Sequence, residues 1–305
     1  MNLPTLNGWL SWSFDGVAYG QRIDKNSIYN FHVNTRSSAP IKSYYEEIYN
    51  NARNMRDYYT GTFDVLLSGG IDSEVVVRTF KDLGIKHNTF IFKYENNYNY
   101  KDVDSAVEIA KSLGIDYKII DFPLQKFYEN DAYDLFKKSK CIRSARLTHL
   151  KFFDYLDNIP VMGDAEPYWK RVLGSDYSKK SEWLMPLGES SHNCSIYCHN
   201  LSRENVCDWY EFSPNLILSF NNLPIIQDLI NDNIYGKTSS WTSRIPIHQT
   251  LWPDIKHKHK LVGYEIDKPT GTYPEFIKDL QKIMTDEIGD GNDYWFNKDQ
   301  LNDLI

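Results

Sequence analysis

The chain has 305 residues, 41% of them apolar and 25% charged, with 16 glycines, 12 prolines and a formal net charge of −7. That balance excludes disordered, collagen-like and coiled-coil chains, and the acidic excess disfavours nucleic acid as a partner. No apolar run approaches the roughly 18 residues that cross a bilayer, and the start Met1-Asn2-Leu3-Pro4-Thr5 lacks a signal-peptide pattern. A cytoplasmic protein with no membrane contact is expected.

Residues 1–60 read as a short N-terminal segment. Glycines punctuate short strands over residues 8–35, and Tyr45, Ile48, Tyr49, Ala52, Met55 and Tyr59 mark one face of a helix that Gly61 ends. Residues 61–170 alternate. Strands are expected at 63–67, 89–94, 117–122 and 159–162, with helices at about 73–83, 102–113 and 142–156 between them. This spacing predicts βαβ units, hence an α/β fold with a doubly wound parallel sheet. In such sheets ligands bind beyond the carboxyl ends of the strands. Residues 171–305 show helical patterns at 214–230 and 274–288 and no clear strand, so a mainly helical region is expected to complete the substrate site.

The most informative residues are Ser68-Gly69-Gly70-Ile71-Asp72-Ser73, between the first of these strands and its helix. Two glycines allow a tight turn that gathers backbone N–H groups, and the helix start adds its own unpaired N–H groups and positive dipole end. Ser68 and Ser73 add hydroxyls. Such a loop suits a phosphate or pyrophosphate; the bland alternative is a strand–helix turn in which Asp72 caps the helix. Neither Walker A nor Gly-x-Gly-x-x-Gly spacing is present.

The segment resembles the PP-loop of the ATP pyrophosphatase superfamily, whose members include asparagine synthetase, GMP synthetase, NAD synthetase and several tRNA-modifying enzymes. Tyr94-Glu95 followed by Asp104, Ala106, Ala110 and Leu113-Gly114 looks like the second βα unit of that family. Gly163-Asp164-Ala165-Glu166 is similar to the Gly-x-Gly-Ala-Asp-Glu stretch of the asparagine synthetase synthetase domain. The resemblance implies ATP and Mg²⁺, with cleavage between the α and β phosphates and transfer of AMP to a substrate oxygen. It implies nucleotide contacts at Ser68, Gly69, Gly70, Asp72, Ser73, Tyr94 and Gly163, and metal contacts at Asp72, Asp164 and Glu166. The family's catalytic lysine would fall on Ser239, so Lys237 or Arg244 would have to substitute. No cysteine follows Met1 and no glutaminase domain fits, so ammonia from glutamine within this chain is not expected.

Arg143, Arg146, Lys170 and Arg171 are further candidate cations for a phosphate or a substrate carboxylate, against the bland reading of a solvated face. His192, Cys194, Cys198, His199 and Cys207 could hold zinc or carry sulfur, or simply be buried thiols alongside Cys141. The run His257-Lys258-His259-Lys260 reads as a solvated basic patch that could meet a phosphate. The leading expectation is an AMP- and pyrophosphate-forming ligase that adenylates a carboxylate or amide oxygen of a small molecule for attack by an amine or ammonia. The alternative is a nucleotide or tRNA modification enzyme adenylating a base carbonyl for sulfur or amine attack. A non-catalytic nucleotide-binding module is the third class.

Overall fold

The computed structural model describes residues 9–16, 21–34, 40–172, 182–231, 240–256 and 274–304. The chain opens with an antiparallel pair, β1 (Leu10–Phe14) and β2 (Tyr29–Val33). Helix α1 (Tyr44–Tyr58) follows, started by a capping box in which Ser43 and Glu46 satisfy each other's backbone N–H groups. Next come β3 (Phe63–Leu66), α2 (Ile71–Asp82), β4 (His87–Tyr94), α3 (Tyr100–Leu113) and β5 (Lys118–Phe122). Two short helices, α4 (Leu124–Asn130) and α5 (Ala132–Ser139), precede α6 (Leu147–Phe152) and β6 (Ile159–Val161). The helix expected over 142–156 is α6 with a 3-10 turn at each end.

These strands form a four-stranded parallel sheet in the order β5-β4-β3-β6. Successive strand residues face opposite sides, and both sides are covered. Phe63, Val65, Leu67, Ile91 and Val161 join the α1–α3 residues Ile48, Val76, Phe80 and Val103 in one core. Leu66, Phe90, Phe92, Tyr94, Phe122 and Met162 join Phe127, Phe136, Leu150 and Phe152 in another. The sheet is doubly wound. Strand order runs outward from β3 through β4 to β5, then returns to place β6 on the other side of β3, so the topological switch point lies between β3 and β6.

The remainder comprises β7 (Lys170–Val172), β8 (Glu182–Gly188), α7 (Glu189–Asn200), α8 (Pro214–Asn221), α9 (Pro224–Asn231), α10 (Ser240–Gln249), α11 (Glu275–Ile288), β9 (Asp293–Phe296) and α12 (Lys298–Leu304). Helices dominate, but the expected lack of strands is corrected. β7, β8 and β9 form an antiparallel sheet. They are short, and Pro186 interrupts the composition of β8, so no period-2 pattern announces them. The single helix expected over 214–230 is split, because Pro224 starts a new helix and disfavours helical backbone at Leu223.

The N-terminal pair is tied to this second region. Arg22, 2% exposed, clamps Glu189 of α7 through Nε–Oε1 (2.9 Å) and Nη2–Oε2 (2.6 Å) and also donates to Asn292 Oδ1 at 2.7 Å. Among the described residues, no helix is long and apolar enough to cross a membrane.

Candidate active site

The loop sits at the switch point. Gly69 takes φ +78°, and a Cβ there would lie 2.3 Å from the Asp102 carbonyl oxygen, so both its backbone angle and its packing against α3 demand glycine. Ser73 Oγ accepts from the Ser68 N–H at 3.1 Å and donates to the Gly70 carbonyl at 3.0 Å, closing the loop on itself. Helix α2 begins after Gly70 with no side-chain cap, so its first N–H groups face the loop. Gly163 abuts the same turn from the end of β6: a Cβ there would stand 2.7 Å from the Asp72 carbonyl carbon.

A cavity of about 870 Å³ opens on the loop. Ser68, Asp72, Ser73, Tyr94, Gly163, Asp164, Glu166 and Arg244 line it, so the expected contacts from β3, β4, β6 and α10 converge. Gly69 and Gly70 shape the loop beside it. Lys237 lies outside the described residues, as does the run 257–260, and so do the side chains of Lys170 and Arg171.

Charges in the site are paired across the chain. Arg244 Nε stands 2.7 Å from Glu166 Oε2, and its Nη1 lies 3.3 Å from Asp72 Oδ1. His248, one turn along α10, meets Glu166 Oε1 at 3.0 Å. Burial pushes His248 down to about 4, with the nearby Asp72 opposing and Arg244 reinforcing that shift, so the ring is neutral. Arg146 pairs with Asp164. Arg143 also lines the cavity, from extended backbone just before the 3-10 turn that carries Arg146.

Asp72 and Asp164 keep about a third and a quarter of their side-chain surface exposed (35% and 25%) beside the loop. Two reachable carboxylates next to a phosphate cradle fit Mg²⁺, which takes one or two carboxylates and fills its shell with phosphate oxygens and water. Glu166, at 2%, is instead enclosed by Arg244 and His248.

The cysteines lie apart from this chemistry. All four are free and buried, and among the described residues no three His, Cys, Asp or Glu side chains gather as a metal set. Burial pushes the Cys141 thiol up to about 12 and those of Cys194 and Cys207 well above their ordinary value, so they are protonated. His192, a candidate metal ligand by its place among the cysteines, belongs to a buried hydrogen-bonded chain instead. Tyr29 O–H meets His192 Nδ1, and His192 Nε2 stands 2.5 Å from Glu211 Oε2. Neither Glu211, which lines the cavity, nor His248, which meets Glu166, carries a motif, and only the fold brings them to the site.

Part of the chain is similar to known proteins. Residues 64–152 match the family described as Queuosine biosynthesis protein QueC. The match covers 89 of the 305 residues, so the likeness is to this part of the chain. It spans β3, the loop and the second βα unit. A 7-cyano-7-deazaguanine synthase of Methanocaldococcus jannaschii is 29% identical over 89 residues, which cover 29% of this chain and 38% of that protein. The chain thus spans about two fifths of the length of this curated relative. Among solved structures, an NMN synthetase from Francisella tularensis is 24% identical with a TM-score of 0.28, covering 39% of this chain and 52% of its own. An NH3-dependent NAD synthetase from Campylobacter jejuni is 13% identical with a TM-score of 0.33, covering 79% and 92%. Neither likeness bears on function.

Proposed function

We propose that this chain is an ATP-dependent enzyme that transfers AMP to an oxygen of a small heterocyclic substrate, releasing pyrophosphate, before a nitrogen nucleophile displaces AMP. The observation that carries this reading is the Ser68–Ser73 loop opening on a cavity large enough for a nucleotide and a second small molecule. The family match favours a base-like acceptor over a free amino acid, because the curated relative is named for a deazaguanine product bearing a cyano group. A carboxylate or amide oxygen on such a ring is a poor leaving group until it carries AMP. The expected ligase chemistry and the base-modification alternative therefore share one activating step.

In this reading each group around the loop has a role. Loop N–H groups and the start of α2 bind the departing phosphates. Asp72 and Asp164 would hold Mg²⁺, which supplies charge neutralisation on the phosphate oxygens. Arg244, fixed by Glu166 and Asp72, presents a rigid positive charge to the α-phosphate. Glu166 and His248 act as positioning residues.

The test supplies ATP, Mg²⁺, ammonium and a 7-deazaguanine carboxylate, the acid at the same oxidation level as a nitrile. AMP and pyrophosphate in equal amounts are expected. ADP and free phosphate would overturn the reading, and turnover with aspartate in place of the heterocycle would favour the amino-acid ligase.

A further inference from the structure

The chain Tyr29–His192–Glu211 is deeply buried, yet one end of it reaches the cavity. Tyr29 and His192 are fully buried and Glu211 is 3% exposed, but Glu211 lines the cavity with Ser190 and Ser191 of the first turn of α7. Its position is tied to the reacting centre through its neighbour: the Tyr210 N–H lies 3.4 Å from the Asp164 carbonyl, and Tyr210 O–H lies 3.4 Å from the Asp72 carbonyl. The backbone there is fixed as well, since Trp9 Nε1 donates to the Glu211 carbonyl at 2.9 Å.

Only one carboxylate oxygen is used by this chain. His192 Nε2 holds Oε2, and among the described residues Oε1 has no hydrogen-bond partner. Burial alone would strip the charge from His192, but the Glu211 carboxylate beside it raises the ring to about 9, with Asp208 and Asp293 adding to it. The ring is therefore an imidazolium held beside Glu211. Glu211 Oε1 is thus open toward the cavity, where a ligand proton can meet it. Ammonium carries such protons, and so does an amine attacking carbon.

We propose that Glu211 is the general base that takes the proton from the nitrogen nucleophile, with His192 and Tyr29 as positioning residues. This rests on the function proposed above and names the residue serving its second step. Nitrogen bonds to the activated carbon, the carbon–oxygen bond to AMP breaks with its electron pair leaving on AMP, and the proton lost by nitrogen passes to Glu211 Oε1. Atoms and charge balance with ammonia as the only co-reactant.

The test measures AMP release by the full chain with ATP, Mg²⁺ and the deazaguanine carboxylate, once with ammonium chloride and once with hydroxylamine, which is unprotonated at neutral pH. Glu211→Gln is expected to slow the ammonium reaction by about 100-fold, the low end for losing a general base, and hydroxylamine is expected to restore most of that loss. Tyr29→Phe, which deletes a single hydroxyl, should move the ratio of the two rates in the same direction by less. Equal losses with both nucleophiles in the two variants would overturn the proposal and mark a structural network. An unchanged ammonium rate in a folded Glu211→Gln would also overturn it. No AMP from the wild-type chain with either nucleophile would instead remove the proposed function, and this inference with it.

Discussion

Arg244 Nε lies 2.7 Å from Glu166 Oε2, an ion pair held by charge rather than by an aligned hydrogen bond, and it joins α10 to the segment after β6. The same guanidinium reaches Asp72 at the start of α2. One side chain thus links three elements around the loop, and it does so where side-chain exposure is 11% for Arg244 and 2% for Glu166.

Arg244→Ala leaves Glu166 as a buried acid with only a neutral histidine beside it. Removing one partner of a buried pair costs about 3 kcal/mol, and chemical denaturation should show a loss of that order. AMP formation should fall at least about 100-fold. Arg244→Lys keeps the charge but not the planar fork, so it should recover stability in part and activity little. Wild-type activity in Arg244→Ala would remove the residue from the site.

Asp72→Asn separates metal holding from helix architecture. Helix α2 has no side-chain cap and Asp72 is partly exposed, so the melting temperature should change little. Pyrophosphate release should drop on the order of 100-fold, and raising Mg²⁺ should recover part of it. A silent variant would reject the carboxylate as a metal ligand.

Gly163→Ala tests the contact between β6 and the loop. The new Cβ would stand 2.7 Å from the Asp72 carbonyl carbon and oxygen and 2.8 Å from the Ser73 nitrogen, all backbone atoms that cannot rotate aside. The loop must shift, at a cost of about 1–3 kcal/mol typical of overpacking. ATP binding, measured by calorimetry, should weaken more than tenfold; unchanged affinity would show that the loop tolerates the displacement.

His248 makes the site's stability depend on pH. Its folded value of about 4 lies below the unfolded value near 6.5. The unfolded chain therefore binds the extra proton between those limits, and the stability due to neutral His248 is complete above about 6.5 and drains away toward 4. Asp208, raised to about 7 mainly by burial, with Glu211 adding and His192 opposing, works the other way: its contribution is complete below about 3.8 and lost as pH climbs through 7. The two slopes offset each other in the wild type. His248→Gln should uncover the Asp208 slope, so the gap between wild type and variant should widen from pH 4 to 6.5. A constant gap would mean that His248 is not neutral in the fold.

Where the signal was local, the sequence could be read. The loop, its flanking strand and helix, and the second βα unit lie within about fifty residues, and each carries its own periodicity or glycine punctuation. The partners of that loop were harder. Arg244 was reached only as a substitute for a missing lysine, and its contacts with Asp72 and Glu166 span long stretches of chain that no spacing encodes. His248 and Glu211 look like ordinary polar residues until α10 and the turn before α8 are folded against β6. The strands β7–β9 escaped because three to seven residues at a time carry too little alternation to be seen.

The clamp between Arg22 and Glu189 changes how this chain could be dissected. A fragment begun at about residue 60 would retain the whole parallel sheet and the phosphate loop, and by contact with nucleotide alone it looks self-sufficient. It would also strand Glu189 without its guanidinium and unseat Asn292, which Arg22 holds between α11 and β9. Arg22 is thus a buckle between the N-terminal strand pair and the helices α7 and α11, and a cut at about residue 60 would open it.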